Sequence, residues 1–154
     1  MPATDLGRDK TPQWPEFGVP SDVKNLIDRF YNLVDIESED SFLEGIDQFT
    51  TEGFTEINEK IVRGHADLLL ERRASWNKIA ARKHNTYRVY VTDAACLDLL
   101  VIGRNDVECR NGEHFSQEYV QNFLLRRDQS GRLLIRKFQA WVDFSSLKEA
   151  LSGL

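Results

Sequence analysis

Two hydrophobic periods divide the chain near residue 83. From Ser21 onward, Val23, Leu26, Ile27, Phe30, Tyr31 and Val34 recur at helical spacing, the repeat of one buried helix face. Ser21 stands as the predicted N-cap and Asp22 in the first turn, where a carboxylate suits the positive end of the helix dipole. Asp35 closes the element. A second short helix is predicted from about Asp40 to Phe49, with Phe42, Leu43 and Ile46 turned inward. Thr50-Thr-Glu-Gly53 breaks the chain, and Phe54 to Ile57 alternates as a short strand. A third helix is expected from His65 to about Ala81, on the spacing of Leu68, Leu69, Arg72 and Trp76.

After Lys83 the period becomes two. His84 to Val91, Cys96 to Ile102 and on towards Cys109, Gln117 to Leu125, and Leu133 to Val142 are rich in β-branched and aromatic residues. The breaks at Thr92-Asp93, Asn111-Gly112 and Asp128 to Gly131 suit hairpin turns. Helices followed by four strands predict an α+β fold with the helices set against one face of a curved antiparallel sheet. Residues 1–20 hold all four prolines and read as an irregular tail before a single domain at 21–154. Trp14 and Phe17 in that tail are expected to lie on the body or to cover a pocket mouth.

A length of 154 residues is enough for one domain with a real core and no staples. The net charge of −5 argues against nucleic acid as a partner, because no basic stripe can release phosphate counterions. The basic run Arg72, Arg73, Lys78, Arg82, Lys83 is interleaved with apolar positions and reads as a solvated helix face. Cys96 and Cys109 are expected to be buried free thiols of a reducing compartment. No Cys/His spacing suits zinc, and no metal or cofactor is expected. No apolar run approaches the roughly 18 residues of a membrane helix, so the expectation is a cytoplasmic protein that does not engage a membrane.

Several residues could carry chemistry. His84 opens the first long strand and can exchange a proton near neutral pH; its other reading is a histidine hydrogen-bonded at a strand edge. Asp35 sits where a helix dipole disfavours an acid, so compensation is expected there, and a plain turn aspartate is the alternative. Arg104 and Asp106 share one strand face by alternation, either around a water or as a salt bridge. The parity near Gly103 leaves open whether they or Asn105 face a cavity. Tyr119, Gln121, Phe123 and Leu125 share a face that is polar at one end and apolar at the other, as a tapered pocket wall would be. Tyr31, Trp76 and Phe138 are lining or core residues, whereas His65 and His114 read as surface. Val120, Asn122 and Leu124, with Leu100 and Ile102, lie on the opposite face and could form a homodimer surface.

Local sequences add a resemblance. Phe30-Tyr31 with Asp35, Val62-Arg-Gly64, Lys83-His84, Ile102-Gly103, Arg110-Asn-Gly112 and Lys137 to Asp143 occur along this order of elements. Over about residues 21 to 151 the chain resembles the nuclear transport factor 2-like cone fold, in particular the SnoaL-like proteins of fungal secondary metabolism. The resemblance implies that the sheet wraps around the N-terminal helices as a cone-shaped α+β barrel. It also implies a tapered, mostly apolar cavity and cofactor-independent acid–base chemistry. The implied activity is that of an isomerase, cyclase or dehydratase working on a hydrophobic natural-product intermediate. Scytalone dehydratase-like members place a catalytic histidine at the position of His84 and a supporting acid at that of Asp35. Tyr119 and Gln121 fall at ligand-contacting positions. Arg104 and Asp106 match the Arg-Xaa-Asp pair of limonene-epoxide hydrolase, but Ala140 stands where the second carboxylate belongs. Two alternatives follow: an epoxide-opening hydrolase using Arg104 and Asp106, and a non-catalytic binding or dimerisation module.

Overall fold

The computed structural model describes residues 11–152, so half of the predicted tail, residues 1–10, lies outside the described residues. Helix α1 spans Ser21–Val34 and buries the expected stripe, with Leu33 added and Val34 half-buried. Pro20 rather than Ser21 takes the cap position; its carbonyl accepts from the Val23 and Lys24 N–H groups. Helix α2, Glu39–Asp47, is capped by Ser38, whose Oγ accepts from the Ser41 N–H at 3.1 Å. Leu43, expected inward, is 50% exposed. The buried stripe runs through Phe42, Gly45 and Ile46, because Gly45 lets the Arg72 side chain close over the helix. A Cβ at Gly45 would lie 2.8 Å from Arg72 Nη1.

Strand β1 spans Phe49–Ile57, five residues longer at its start than the alternation suggested, and pairs with β2, Lys60–Arg63. Asn58 and Glu59 both take positive φ in the turn between them, the geometry of a two-residue hairpin. Helix α3, His65–Ala74, stops well before Ala81. The residues after it enter β3, Ile79–Val91, because β4, Asp98–Cys109, is long enough to pair with all of them, from Ile79↔Cys109 onward. Strand β5, His114–Arg127, and strand β6, Leu133–Trp141, complete the sheet. A final helix α4, Ser145–Ser152, was not foreseen; the Asp143 carboxylate accepts the Ser145 N–H at its start.

The strand order is β2-β1-β6-β5-β4-β3. All neighbours are antiparallel except β1 and β6, which run parallel. The sheet is therefore mixed and not closed, where an antiparallel one was expected. A pairing between strands some eighty residues apart leaves no local signal in a sequence. The core packs α1 against one sheet face through Ile27, Phe30, Leu99, Val101, Phe123 and Ile135.

Of the two tail aromatics, Trp14 packs against the core while Phe17 stays 55% exposed. Gln13 bridges to β3 through Tyr87 and Val89 backbone groups. Cys96 and Cys109 are buried and free. Among the described residues no helix is long and apolar enough to cross a membrane.

Candidate active site

Cross-strand register stacks the polar residues of the core face in rows. His84 pairs with Asn105, which pairs with Gln117; the next row is Thr86, Gly103, Tyr119. A bulge after Thr86 follows, and then Val89, Val101 and Gln121. Side chains of such a row stand close together on one face. The last turn of α1 lies over the first two rows and delivers Tyr31 and Asp35.

Asp35 Oδ1 lies 2.6 Å from His84 Nδ1, and Asp35 Oδ2 accepts the His84 backbone N–H at 2.9 Å. Both side chains are about nine-tenths buried, at 10% and 9% exposure. A carboxylate only accepts, so Nδ1 carries a proton, and in the neutral ring it is Nε2 that holds the lone pair. Nε2 has no protein partner among the described residues. The compensation expected for an acid at the end of α1 comes from His84 and from Arg82. The Arg82 Nε donates to the Val34 carbonyl at 2.8 Å, and its guanidinium lies 4.4 Å from the Trp76 ring. Burial pushes Arg82 down to about 10, with Arg72 nearby pushing the same way and Asp35 opposing.

Tyr31, Tyr119 and His84 form a triangle of rings, with centroids 5.3, 5.4 and 6.0 Å apart. Tyr31 donates to Gln121 Oε1 at 2.5 Å, and the Tyr119 and Thr86 hydroxyls are 3.4 Å apart. Burial pushes the Tyr119 phenol up to about 12 and Tyr31 well above its ordinary value. Both hydroxyls therefore remain donors at neutral pH. Gly103 makes room for this arrangement: a Cβ there would lie 2.4 Å from both Tyr119 Oη and the Asn85 carbonyl.

Buried polar atoms without partners include Asn105 Oδ1 and Gln117 Oε1 in the row of His84, and Trp76 Nε1 and Arg82 Nη2 where Arg82 reaches the Val34 carbonyl at the end of α1. Leaving a buried polar atom unpaired costs roughly 1–3 kcal/mol, so a cluster of them marks where a polar ligand or water belongs. Asn105 and Gln117 were not among the predicted site residues, although Asn105 was the open alternative at Gly103. Alternation from His84 through the registers would have found both.

The structure separates the remaining candidates. Arg104 and Asp106 do pair, at 3.0 Å, and Asp106 also accepts from Asn85 and Ser116. They alternate with inward-facing Gly103, however, and so lie on the face away from His84. This corrects the expectation of a catalytic role inside a cavity. Phe123 and Phe138, expected to line a pocket, pack with Phe30 at 4.9 to 5.1 Å into an aromatic floor. Trp76 is a buried wall beneath Arg82. His65 is not a free surface group; its Nε2 contacts the Phe49 and Thr50 carbonyls at 3.0 and 3.1 Å. Among the described residues no group of three or more His, Cys, Asp or Glu could hold a metal ion.

No family model matches the chain, and no curated protein matches it in sequence. Solved structures do match in shape. A nuclear transport factor 2-like protein of unknown function from Burkholderia pseudomallei superposes with a TM-score of 0.70 at 12% identity, covering 86% of this chain and 99% of its own. A protein with a ketosteroid isomerase-like fold from Catenulispora acidiphila, solved with trimethylamine, reaches 0.68 at 11% identity over 84% and 92%. A phenazine biosynthesis-related protein from Pseudomonas aeruginosa reaches 0.65 at 13% identity over 90% and 88%. The chain has the nuclear transport factor 2-like cone fold. At such identities the likeness concerns the fold alone, and function has to be argued from the site.

Proposed function

We propose that the chain is an acid–base enzyme that moves a proton on a small hydrophobic molecule, as an isomerase, cyclase or dehydratase of a biosynthetic pathway. The observation that carries this reading is the buried His84–Asp35 dyad, in one cross-strand row with the unpartnered buried oxygens of Asn105 and Gln117. His84 Nε2 takes the proton from carbon or oxygen, and Asp35 stabilises the imidazolium through Nδ1–H. The Tyr119 and Thr86 hydroxyls donate to the oxygen on which negative charge develops. Such donors act strongly in a site with little water, because they are already oriented when the charge appears. Tyr31 holds Gln121 rather than substrate, and Asn105 and Gln117 contact the ligand's polar edge. The biosynthetic setting is supported by a phenazine biosynthesis-related protein among the structural neighbours, and the small-molecule role by a neighbour solved with trimethylamine.

The proposed test is exchange of enolisable protons for deuterium in a panel of cyclic ketones and phenolic natural products, followed by mass spectrometry. Exchange that disappears in His84→Ala supports the reading. Saturable binding without any exchange would replace it with a binding module. The same panel would be applied to the protein as a homodimer. We place that interface on the outer sheet face, where Val120 and Trp141 are 39% and 50% exposed. Sedimentation of Val120→Glu as a monomer and of the parent as a dimer would support this placement.

A further inference from the structure

A second polar site lies at the far end of the sheet. Thr50, Thr51, Glu52, Phe54, Arg63, Arg126 and Arg136 line a cleft of ≈470 Å³. Along β5, Arg126 is nine residues from Gln117, roughly 30 Å at the rise of a strand, so the cleft is separate from the His84 site.

Three guanidinium groups face one carboxylate here, in a chain whose net charge is −5. The surrounding cations are all matched to acids: Arg127 to Asp22 at 2.6 Å, Arg132 to Asp47 at 2.8 Å, and Lys137 to Glu56 at 2.9 Å. Arg126 and Arg136 have no such partner among the described residues. Arg63 is held in place by the Phe54 ring, 4.1 Å away, and by the Glu52 carbonyl. Unmatched like charges oppose one another, and an anion between them removes that repulsion.

The cleft wall is also built rather than incidental. The β1–β6 register slips between Phe49 and Phe54, which pushes Thr50 to Glu52 out of the ladder as a bulge. His65 Nε2–H donates to the Phe49 and Thr50 carbonyls, and the Gly64 N–H donates to the Gly53 carbonyl at 2.9 Å. Gly53 sits so tightly that a Cβ would meet the Thr50 carbonyl at 2.9 Å. Bulges re-aim side chains at functional places, and Thr50 and Thr51 of this one line the cleft together with the arginines.

We infer that this cleft binds a phosphomonoester group of a small molecule, held by the forks of Arg126 and Arg136 with Arg63 and a threonine hydroxyl completing the cradle. Planar guanidinium groups grip such an oxyanion by paired hydrogen bonds. Glu52 limits the affinity.

The test is calorimetric titration of the full chain with phenyl phosphate and with inorganic phosphate, at low ionic strength so that exposed charges are not screened. One saturable site is expected, weakened about tenfold or more by Arg126→Ala or Arg136→Ala, the scale of a lost charged hydrogen bond. Arg136→Lys should weaken it less, Glu52→Gln should tighten it, and His84→Ala should leave it unchanged. Circular dichroism verifies that each variant is folded. Absence of saturable binding, or binding that survives both arginine-to-alanine changes, overturns the proposal. Preference for a single-stranded oligonucleotide over phenyl phosphate would overturn it as well, since the cleft would then be part of a polyanion surface.

Discussion

Asp35 grips His84 at two points, through the ring at 2.6 Å and through the backbone N–H at 2.9 Å. The carboxylate thus sets both where the imidazole lies and which nitrogen is bare. Substituting His84→Ala should lower turnover, read as deuterium exchange, by about a hundredfold or more, the usual weight of a general base. Asp35→Asn tests the tautomer separately. An amide that presents its NH₂ to Nδ1 forces the proton onto Nε2 and disables the base without moving the ring. The rate constant should fall while KM changes little, and nitrogen-15 shifts of the ring should report the exchanged tautomer. Unchanged shifts and an unchanged rate would remove Asp35 from the mechanism.

Arg104 and Asp106 give the opposite expectation. Their pair is half-exposed on the outer face, with side-chain exposures of 28% and 36%, where an ion pair contributes about 1 kcal/mol or less. Asp106→Asn should leave exchange activity intact and lower stability by no more than that amount in urea denaturation. A large loss of activity would mean that this face reaches the substrate after all.

How far the sequence speaks depends on which physical signal each feature leaves. Helix α1 was legible because six apolar residues at one spacing admit a single buried face. Helix α3 was overextended because Arg72 and Trp76 imitate the helical repeat, whereas both are buried for tertiary reasons: one against Gly45, the other under Arg82. The parallel contact of β1 with β6 depends on residues such as Phe54 and Lys137, far apart in the chain, and no window contains both. The orientation of Arg104 was silent for a different reason. Gly103 has no side chain to declare its face, and its three successors are all polar, so alternation offers no contrast. The closeness of Asp35 to His84 entered through a family resemblance; spacing alone could not have joined residues on different elements.

Gly103 is the residue on which the site's shape turns. Gly103→Ala would place a methyl group 2.4 Å from Tyr119 Oη and equally close to the Asn85 carbonyl. Backbone cannot retreat cheaply, so Tyr119 must move. The expected cost is about 1–3 kcal/mol, typical of overpacking, measured by denaturant midpoint. Exchange activity should fall further than Tyr119→Phe alone causes, since a displaced ring also disturbs Tyr31 and His84. Wild-type stability in Gly103→Ala would show that the ring is not seated where the hydroxyl must act.

The buried phenols also predict a response to alkali. Burial pushes Tyr119 from its ordinary 10.0 to about 12, and Tyr31 shifts in the same direction. Between those values the unfolded chain releases the phenolic proton while the folded chain keeps it. The unfolded state therefore binds fewer protons, and stability declines as pH rises. The contribution from Tyr119 is fully present below pH about 10 and is lost as pH climbs through about 12. Phenolate absorbance from Tyr119 and Tyr31 should accordingly rise together with the loss of far-ultraviolet dichroism, not before it. Tyr119→Phe should flatten the alkaline decline while leaving stability at neutral pH lower by the missing hydroxyl contact. If the phenolate signals of Tyr31 and Tyr119 instead saturate while the fold is intact, the hydroxyls are open to water, and the water-poor surroundings proposed for the Tyr119 donor would be refuted.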